Sequence, residues 1–226
     1  MKTIVLSLGG SLIIPSDNID INYLKKFRKF ILSLVKKKYR VIIVAGGGRV
    51  NSKYNKAAQQ LARISDEDLH WIGIKATHLN AELLRSIFSQ WAFPKVVVNP
   101  TTRIKTNKPI IIGAGWLPGC STDKDAVLLA INFKAKEVIN LTDVDYVYDK
   151  DPDKHKDAKP IKQISWPEYK KMFGEVVKPR MSSPFDPVAT KLACHQGIKV
   201  VILNGRKLKN LNNHLSNNKY LGTVIK

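Results

Sequence analysis

The sequence is poor in cysteine and contains no long apolar run. Its two cysteines, Cys120 and Cys194, lie far apart and lack the spacing of a metal-binding motif. So few thiols are typical of a reducing compartment rather than of a disulfide-stapled secreted fold. No apolar run reaches the length of a membrane span, and a short apolar strand that begins at Thr3 leaves no room for a signal peptide. We therefore expect a cytoplasmic protein.

Acidic residues are also scarce relative to basic ones. The chain has 18 Asp and Glu against 38 Lys and Arg, which gives a formal net charge of +20. A nucleic-acid binder would explain the excess, but no nucleic-acid motif with interleaved aromatic residues accompanies it. Much of the charge falls in helical stretches such as 25–30 and 36–40, where we interpret the lysines as solvated faces. The resulting positive field would also attract polyanionic nucleotides.

Alternating apolar strands and amphipathic helices predict the fold class. At 226 residues the chain is long enough for one large α/β domain or two small lobes. The alternation predicts a three-layer α/β/α sandwich with a mostly parallel central sheet. The predicted strands are 3–8, 40–45, 96–98, 110–112, 137–141, 199–203 and an edge strand within 220–225. The predicted helices are 22–38, one from about 50, one capped at 65–66 and ending before 94, 123–130, 166–173, 184–196 and 207–215.

The stretch 110–130 combines a short buried strand, a glycine-bearing loop and the start of a helix. Gly113 and Gly115 allow the backbone to approach a ligand closely, and Ser121 and Thr122 supply hydroxyls and a helix cap. This order makes an anion site, because backbone N–H groups at a helix N-terminus point at the ligand. Two further strand–glycine–helix junctions occur upstream, at 9–11 and 46–48. Three such junctions in one small chain indicate an enzyme that handles phosphates.

The topology predicts where this chemistry lies. Ligands of parallel α/β sheets bind beyond the carboxyl ends of the strands. We therefore expect the loops 9–11, 46–48, 113–122 and 142–151 to lie along one edge of the sheet. The chain has no P-loop of the Walker type, so a different device must hold the phosphates.

In their order and spacing, these loops resemble the amino acid kinase superfamily, and within it the archaeal-type UMP kinases. The resemblance spans nearly the whole chain, and its matching segments are 8–11 (LGGS), 44–48 (VAGGG), 73–81 (GIKATHLNA), 118–130 (PGCSTDKDAVLLA), 142–152 (TDVDYVYDKDP) and 182–193 (SSPFDPVATKLA). It implies phosphoryl transfer from ATP to UMP, with Mg²⁺ bridging the ATP phosphates. It also implies one domain over 1–226, with an acceptor-binding lobe of about 1–132 and an ATP-binding lobe of about 133–226, and assembly into homohexamers.

The resemblance also assigns roles to residues. Asp123 is expected to organise the catalytic cluster rather than to act as a base, with Asp186 and Lys191 as further catalytic residues. The expected ATP-binding residues are Gly10, Ser11, Gly47, Thr142, Asp143, Tyr148 and Asp151. The expected acceptor-binding residues are Gly46, Arg49, Lys53, His70, Gly115, Trp116, Leu117, Pro118, Gly119, Cys120, Ser121 and Thr122. Taken singly, Tyr148 is equally a core or lid aromatic, Asp151 a turn residue and Lys191 a surface lysine.

Four positions depart from the family's pattern. Ser7 stands where many superfamily members carry a catalytic Lys, a residue that archaeal-type UMP kinases also tend to lack. Ser52 stands in place of an Arg, His70 in place of an Asp, and His78 in place of an Arg. If those residues contact the acceptor, a bidentate cation and a carboxylate are missing, and Arg49 or Lys53 restores charge without the same geometry.

Three other functions therefore remain open beside UMP phosphorylation. One is a kinase of another small phosphorylated metabolite, which Ser52 and His70 permit. Another is a non-catalytic ATP or oxyanion binder, which the missing Lys favours and the retained Asp123 disfavours. Nucleic-acid binding, the last, rests on charge alone and predicts affinity that falls steeply with salt.

Overall fold

The structure is a computed structural model, which describes residues 1–152, 154–174 and 184–226. Within these ranges the strands are β1 (Lys2–Leu8), β2 (Tyr39–Ala45), β3 (Ile110–Gly113), β4 (Glu137–Thr142), β5 (Val147–Tyr148), β6 (Pro160–Ile161), β7 (Gln163–Ile164), β8 (Lys199–Asn204) and β9 (Thr223–Ile225). The helices are α1 (Gly10–Ile13), α2 (Ile21–Lys36), α3 (Gly48–Leu61), α4 (Asp66–Ile87), α5 (Thr122–Asn132), α6 (Trp166–Phe173), α7 (Pro187–His195) and α8 (Leu208–Leu215). Among the helices so described, none is long and apolar enough to cross a bilayer.

A seven-stranded sheet with the order β3-β2-β1-β4-β8-β9-β7 forms the middle layer. The five strands from β3 to β8 pair in parallel, whereas β9 runs antiparallel to β8 and β7 runs parallel to β9. The short strands β5 and β6 form a separate two-stranded sheet. The mostly parallel sheet confirms the predicted fold class.

Alternate side chains of each central strand enter different cores, because successive residues of a strand point to opposite faces. On one face, Ile4 and Leu6 pack in a core with Phe27 of α2 and Leu84 of α4. On the other face, Val5 belongs to a core that is completed by residues of α5, α6 and α7. Both faces of the sheet are therefore covered by helices, as a three-layer sandwich requires.

Three predicted elements differ from the structure. The segment 96–98 forms no strand and contributes only one bridge, from Val97 to Gly113, because the flanking prolines at 94 and 100 leave no room for a ladder. Helix α7 begins at Pro187 rather than at residue 184, since proline suits the first helical position and Asp186 caps it. The last strand covers only Thr223–Ile225 and lies between β8 and β7, so it is not an edge strand.

Helices α4 and α5 begin at the serine caps that the sequence predicted. The Ser65 hydroxyl accepts the Asp68 N–H at the start of α4, and the Ser121 hydroxyl accepts the Lys124 N–H at the start of α5. A capped N-terminus satisfies one backbone donor and leaves the others free for a ligand.

Candidate active site

The carboxyl ends of the parallel strands bring the predicted loops to one edge of the sheet. Backbone hydrogen bonds join neighbouring strand ends: the Gly9 N–H donates to Leu141 O, and the Gly46 N–H donates to Leu8 O, each at 2.9 Å. The loops after β1, β2 and β4 are therefore adjacent, with β1 in the middle. The predicted gathering of the glycine loops at one edge is confirmed.

The loops after β1 and β2 touch backbone to backbone, which only glycine permits. A Cβ atom added to Gly10 would lie 2.0 Å from the Gly48 nitrogen, and Gly48 itself has a φ of +63°. The buried amide of Asn80, on α4, donates to the carbonyl oxygens of Gly46 and Gly47 at 2.8 and 3.2 Å. The second glycine loop is thus held between the first loop and α4.

Asp123, in the first turn of α5, connects β1 with the segment before α7. Its Oδ1 accepts the Ser7 hydroxyl at 2.9 Å, across 116 residues of sequence. Its Oδ2 accepts the backbone N–H of Asp186 at 3.3 Å. Ser7, at the position where many superfamily members carry a lysine, therefore makes a hydrogen bond to the central carboxylate rather than supplying a positive charge.

Burial raises the pKa of Asp123 to about 6, although hydrogen bonds from Ser7 and Asp186 lower it and the nearby charge of Asp186 raises it. The carboxylate is half-buried and lies at the N-terminus of α5. At neutral pH it is mostly ionised and can accept both hydrogen bonds. Below about pH 6 it takes up a proton, so the cluster changes its hydrogen-bonding pattern.

The other two predicted catalytic residues occupy different surroundings. The Asp186 carboxylate caps α7, where its Oδ1 accepts the Ala189 N–H at 2.8 Å, so its contact with Asp123 runs through its backbone. Lys191 is an exposed residue of α7. Ser182 and Ser183, part of the segment that suggested these roles, lie outside the described residues.

A cavity of about 770 Å³, here called the α4 cavity, opens between α3, α4 and the start of α5. Six of the predicted acceptor-binding or ATP-binding residues from the glycine loop and the stretch before α5 line it: Gly47, Gly115, Leu117, Cys120, Ser121 and Thr122. The predicted residue His70 lines it as well, with Asn51, Asn55, Asp66, Leu69, Gly73, Ile74 and Thr77. Gly47, predicted to bind ATP, thus lies at the cavity that holds predicted acceptor residues.

The connection between β3 and α5, residues 114–121, forms one wall of this cavity and is here called the Trp116 loop. Two side chains of α4 hold its start: the Gly115 N–H donates to Thr77 Oγ1, and His78 Nε2 contacts Gly115 O, each at 2.8 Å. Its predicted members Trp116, Pro118 and Gly119 belong to the same loop, in which Gly119 has a φ of +76°. His78, which stands in place of a family arginine, therefore anchors this loop.

Arg49 and Lys53 are engaged elsewhere in the structure. Arg49 Nε donates to Pro15 O at 2.7 Å, and Lys53 forms an ion pair with Asp17 at 2.6 Å. Among the described residues that line the α4 cavity, none is Lys or Arg. In this arrangement both cations contact the segment 15–17 rather than the described lining of the α4 cavity, and their replacement of the missing arginine stays a prediction.

A second cavity, of about 530 Å³ and here called the β4 cavity, opens beyond β4 and β8. All four residues predicted for ATP in the 142–151 segment line it: Thr142, Asp143, Tyr148 and Asp151. Apolar walls come from Val147, Phe173 and Ile202, among others.

The predicted ATP-binding residues Gly10 and Ser11 lie elsewhere, at the start of the single-turn helix α1, where Arg206 donates to the Ser11 carbonyl at 3.2 Å.

Sequence reasoning missed several polar residues of the α4 cavity. The side-chain oxygens of Asn51 and Asn55 are buried and have no hydrogen-bond partner within the described parts of the chain. Thr77, which lines the cavity, and Asn80, which holds the second glycine loop beside it, are buried on the same side of α4. Polar residues at a three-residue spacing on the buried face of a helix are the signal that was available for these two.

Comparisons with known proteins match nearly the whole chain to one family. The sequence profile described as the amino acid kinase family matches residues 2–204. A uridylate kinase from Methanococcus aeolicus is 33% identical, with 98% of each chain covered, and one from Methanospirillum hungatei is 34% identical, with 100% of this chain and 95% of the relative covered. The crystal structure of a uridylate kinase from Archaeoglobus fulgidus superposes with a TM-score of 0.81 at 32% identity and covers both chains completely.

Proposed function

This chain belongs to the amino acid kinase family, and we propose that it is a UMP kinase, which transfers the γ-phosphoryl group of ATP to UMP and yields UDP and ADP. Its curated relatives named uridylate kinase match it over almost their whole length. The single observation that carries the proposal is the position of Asp123, whose hydrogen bonds join the end of β1 to the segment before α7, between the α4 cavity and the β4 cavity. The α4 cavity would take UMP, and the β4 cavity would take ATP.

The sheet order supports this division. Strand β1 lies between β2, which leads to the α4 cavity, and β4, which leads to the β4 cavity. Asp123 is bound to Ser7 at the end of β1, follows Thr122 of the α4 cavity and accepts the N–H of Asp186, two residues beyond Pro184 of the β4 cavity. Two nucleotides in these cavities would therefore present their phosphates to each other near this carboxylate.

The reaction needs positioning and charge neutralisation more than covalent chemistry from the protein. A phosphate oxygen of UMP forms a bond to the γ-phosphorus as the bond to the β,γ-bridging oxygen of ATP breaks. Backbone N–H groups of the glycine loops 9–11 and 46–48 and of the α5 N-terminus supply fixed dipoles toward the oxygens of the transferring group. Asp123 keeps Ser7 and the segment before α7 in place around it.

We also propose that Mg²⁺ enters with ATP. This ion prefers oxygen ligands and keeps several waters, so the ATP phosphates supply most of its ligands. Among the described residues there is no group of three or more His, Cys, Asp or Glu side chains able to hold an ion by themselves. The hard oxygen donor Asp143 lines the β4 cavity and fits a single protein ligand to an ion delivered this way. Bound there, the ion would neutralise charge on the phosphates.

One observation favours a second candidate function, a kinase of another phosphorylated metabolite. The lining of the α4 cavity, as far as it is described, contains no Lys or Arg, while it contains His70 and the unpartnered oxygens of Asn51 and Asn55. If UMP bound in this cavity, only backbone N–H groups and His70 would be available to hold its phosphate. The amide oxygens would accept hydrogen bonds from N–H or O–H groups of the ligand.

We also propose the division into two lobes that the family resemblance implies. Residues of about 1–132 would form the acceptor-binding lobe and residues of about 133–226 the ATP-binding lobe of one domain. Assembly into homohexamers and a cytoplasmic location remain predictions from the sequence, which size measurements in solution and fractionation would test.

The decisive experiment is a coupled ADP-release assay with ATP and Mg²⁺, in which UMP, CMP, AMP and GMP are presented separately. We expect turnover with UMP, and a loss of kcat on the order of 100-fold in Asp123→Asn, because the amide cannot keep the same hydrogen bonds and charge. Glu82→Gln, which changes an exposed carboxylate on α4, serves as the matched control. We also expect activity to fall below about pH 6, where Asp123 takes up a proton.

Absence of turnover with all four nucleotides, while ATP still binds, would overturn the nucleotide kinase. Turnover of another phosphorylated acceptor would then support the second candidate, and absence of any transfer would support a storage or binding role.

A further inference from the structure

Asp125 is a buried carboxylate that the proposed reaction does not use. It lies in the first turn of α5, two residues after Asp123, and its side chain is 0% exposed. Since residues two apart on a helix point about 200° away from each other, Asp123 and Asp125 face different neighbours. Asp123 faces β1, whereas Asp125 faces the Trp116 loop.

The carboxylate of Asp125 makes one hydrogen bond to that loop. Its Oδ2 accepts the backbone N–H of Trp116 at 3.2 Å. Its Oδ1 is buried, and no donor within the described parts of the chain contacts it. Buried polar groups are normally satisfied, so an acidic side chain with a free oxygen is an unfavourable choice for stability alone.

The same burial shifts the pKa of Asp125 toward the neutral form. Burial raises the pKa of Asp125 to about 7; the Trp116 N–H and the Lys124 charge lower it, and the Asp123 charge raises it further. An apolar residue of similar volume would avoid this cost. Residues that break a local rule in this way concentrate at functional sites.

Asp125 complements the other anchors of the Trp116 loop. Thr77 and His78 hold Gly115 from α4, and Asp125 holds the next residue from α5. Beyond this point the loop contributes Leu117, Cys120 and Ser121 to the α4 cavity. Hydrogen bonds thus hold the loop between α4 and α5, the two helices that flank the cavity. Asp125 connects it to α5, which also carries Asp123.

We propose that Asp125 is a positioning residue, whose carboxylate fixes the Trp116 loop against the start of α5 and thereby sets the affinity of the α4 cavity for the acceptor nucleotide. The identity of the acceptor rests on the proposed function, whereas the anchoring of the loop does not. Asp125 acts through the backbone of residue 116 and does not itself contact the acceptor.

The test compares Asp125→Ala and Asp125→Val, which remove the acceptor oxygen, with Asp125→Asn, which keeps one. Val127→Ala, a large-to-small change at a buried position of the same helix, controls for the loss of packing. Two measurements are made on each protein: amide hydrogen exchange of peptides covering 113–121 without ligand, and the KM values for UMP and for ATP.

In Asp125→Ala and Asp125→Val we expect exchange in 113–121 to become at least about 10-fold faster and the KM for UMP to rise about 10-fold, since each removes the hydrogen bond of a loop residue. The KM for ATP and exchange at 142–151 should stay within about 2-fold of wild type. Asp125→Asn should remain within about 2-fold in every measurement, and Val127→Ala should lower Tm without separating the two KM values.

Unchanged exchange and an unchanged KM for UMP in the two apolar variants would overturn the proposal. A parallel rise in both KM values, or failure of both variants to fold, would also overturn it, because Asp125 would then be only structural. If the wild-type protein does not phosphorylate UMP, the proposed function fails alone, and the exchange experiment still decides whether Asp125 anchors the loop.

Discussion

Two carboxylates at opposite ends of the central sheet, Glu137, which is partly buried, and Asp125, which is fully buried, have opposite environments. Glu137, at the amino end of β4, is bound by His214 Nε2 at 2.9 Å and Lys199 Nζ at 2.5 Å. Burial raises the pKa of Glu137, but His214 and Lys199 outweigh it and leave the pKa below its usual value. Asp125, near the carboxyl ends of the strands, has one backbone donor and a raised pKa.

The comparison indicates which end of the sheet is built for stability and which for binding. At the amino end, the Glu137 carboxylate meets the opposite charge of Lys199 and a hydrogen bond from His214, although His214 Nδ1 has no partner within the described residues. At the carboxyl end, buried oxygens of Asp125, Asn51 and Asn55 lack partners within the described residues. Unsatisfied polar groups cost free energy on folding, and they are tolerated where a ligand or a loop position depends on them.

Among the variants that test this comparison between the two ends of the sheet, Glu137→Gln is expected to have the largest effect on stability. Glu137 is partly buried between Lys199 and the nearly buried His214, so removing its charge leaves these groups without their partner. We expect a loss of about 2 kcal/mol in the free energy of unfolding at pH 7.5, below the range for a fully buried pair. Because the folded pKa of Glu137 is lowered, its stabilisation is present above the unfolded value and disappears as pH falls through the folded value. Urea unfolding at pH 7.5 and near pH 4 measures both effects.

The KM for UMP should not change in Glu137→Gln, because the residue lies at the far end of the sheet. A variant as stable as wild type at pH 7.5 would contradict the assignment of this end to stability. Glu82→Gln again provides the control, since Glu82 is 52% exposed and its ion pair with Arg85 contributes little.

The next effect has the opposite sign and concerns Asp125→Asn. The folded pKa of Asp125 is raised to about 7, so wild-type protein loses stability as pH rises from the unfolded value near 4 to about 7. The amide carries no charge, and we expect the variant to be more stable than wild type by about 1–2 kcal/mol at pH 8, with the difference shrinking toward pH 5. Urea unfolding at both pH values measures it. A gain that is equal at pH 8 and pH 5 would show that charge burial is not its cause.

The smallest effect is expected for Lys53→Ala. Lys53 pairs with Asp17 on the surface, with side chains 55% and 76% exposed, and such pairs contribute little to stability. We expect changes of less than about 2-fold in the KM for UMP and less than about 0.5 kcal/mol in the free energy of unfolding. A 10-fold rise in the KM for UMP would show that Lys53 leaves Asp17 and binds the acceptor. The α4 cavity would then have a cation of its own, and the prediction would be wrong.

Local sequence signals predicted much of the fold. Apolar runs such as 40–45 gave the buried parallel strands, and Ser65 and Ser121 marked helix starts because their hydroxyls cap backbone N–H groups. The segment 220–225 was misassigned as an edge strand, because hydrophobicity does not reveal which strand lies beside it. Pairing of β9 with β8 and β7 depends on residues distant in sequence.

By itself, the sequence determined most of the longer strands and helices, the glycine loops and the gathering of those loops at one sheet edge, since these follow from local propensity and from parallel topology. Only the tertiary structure decided what each polar side chain contacts. Arg49 binds Pro15, Asp186 caps α7 and Asp125 holds Trp116, although the family resemblance suggested roles toward the nucleotides for the first two and no role for the third. Such choices depend on side-chain rotamers and on neighbours brought together by folding, which no local pattern records.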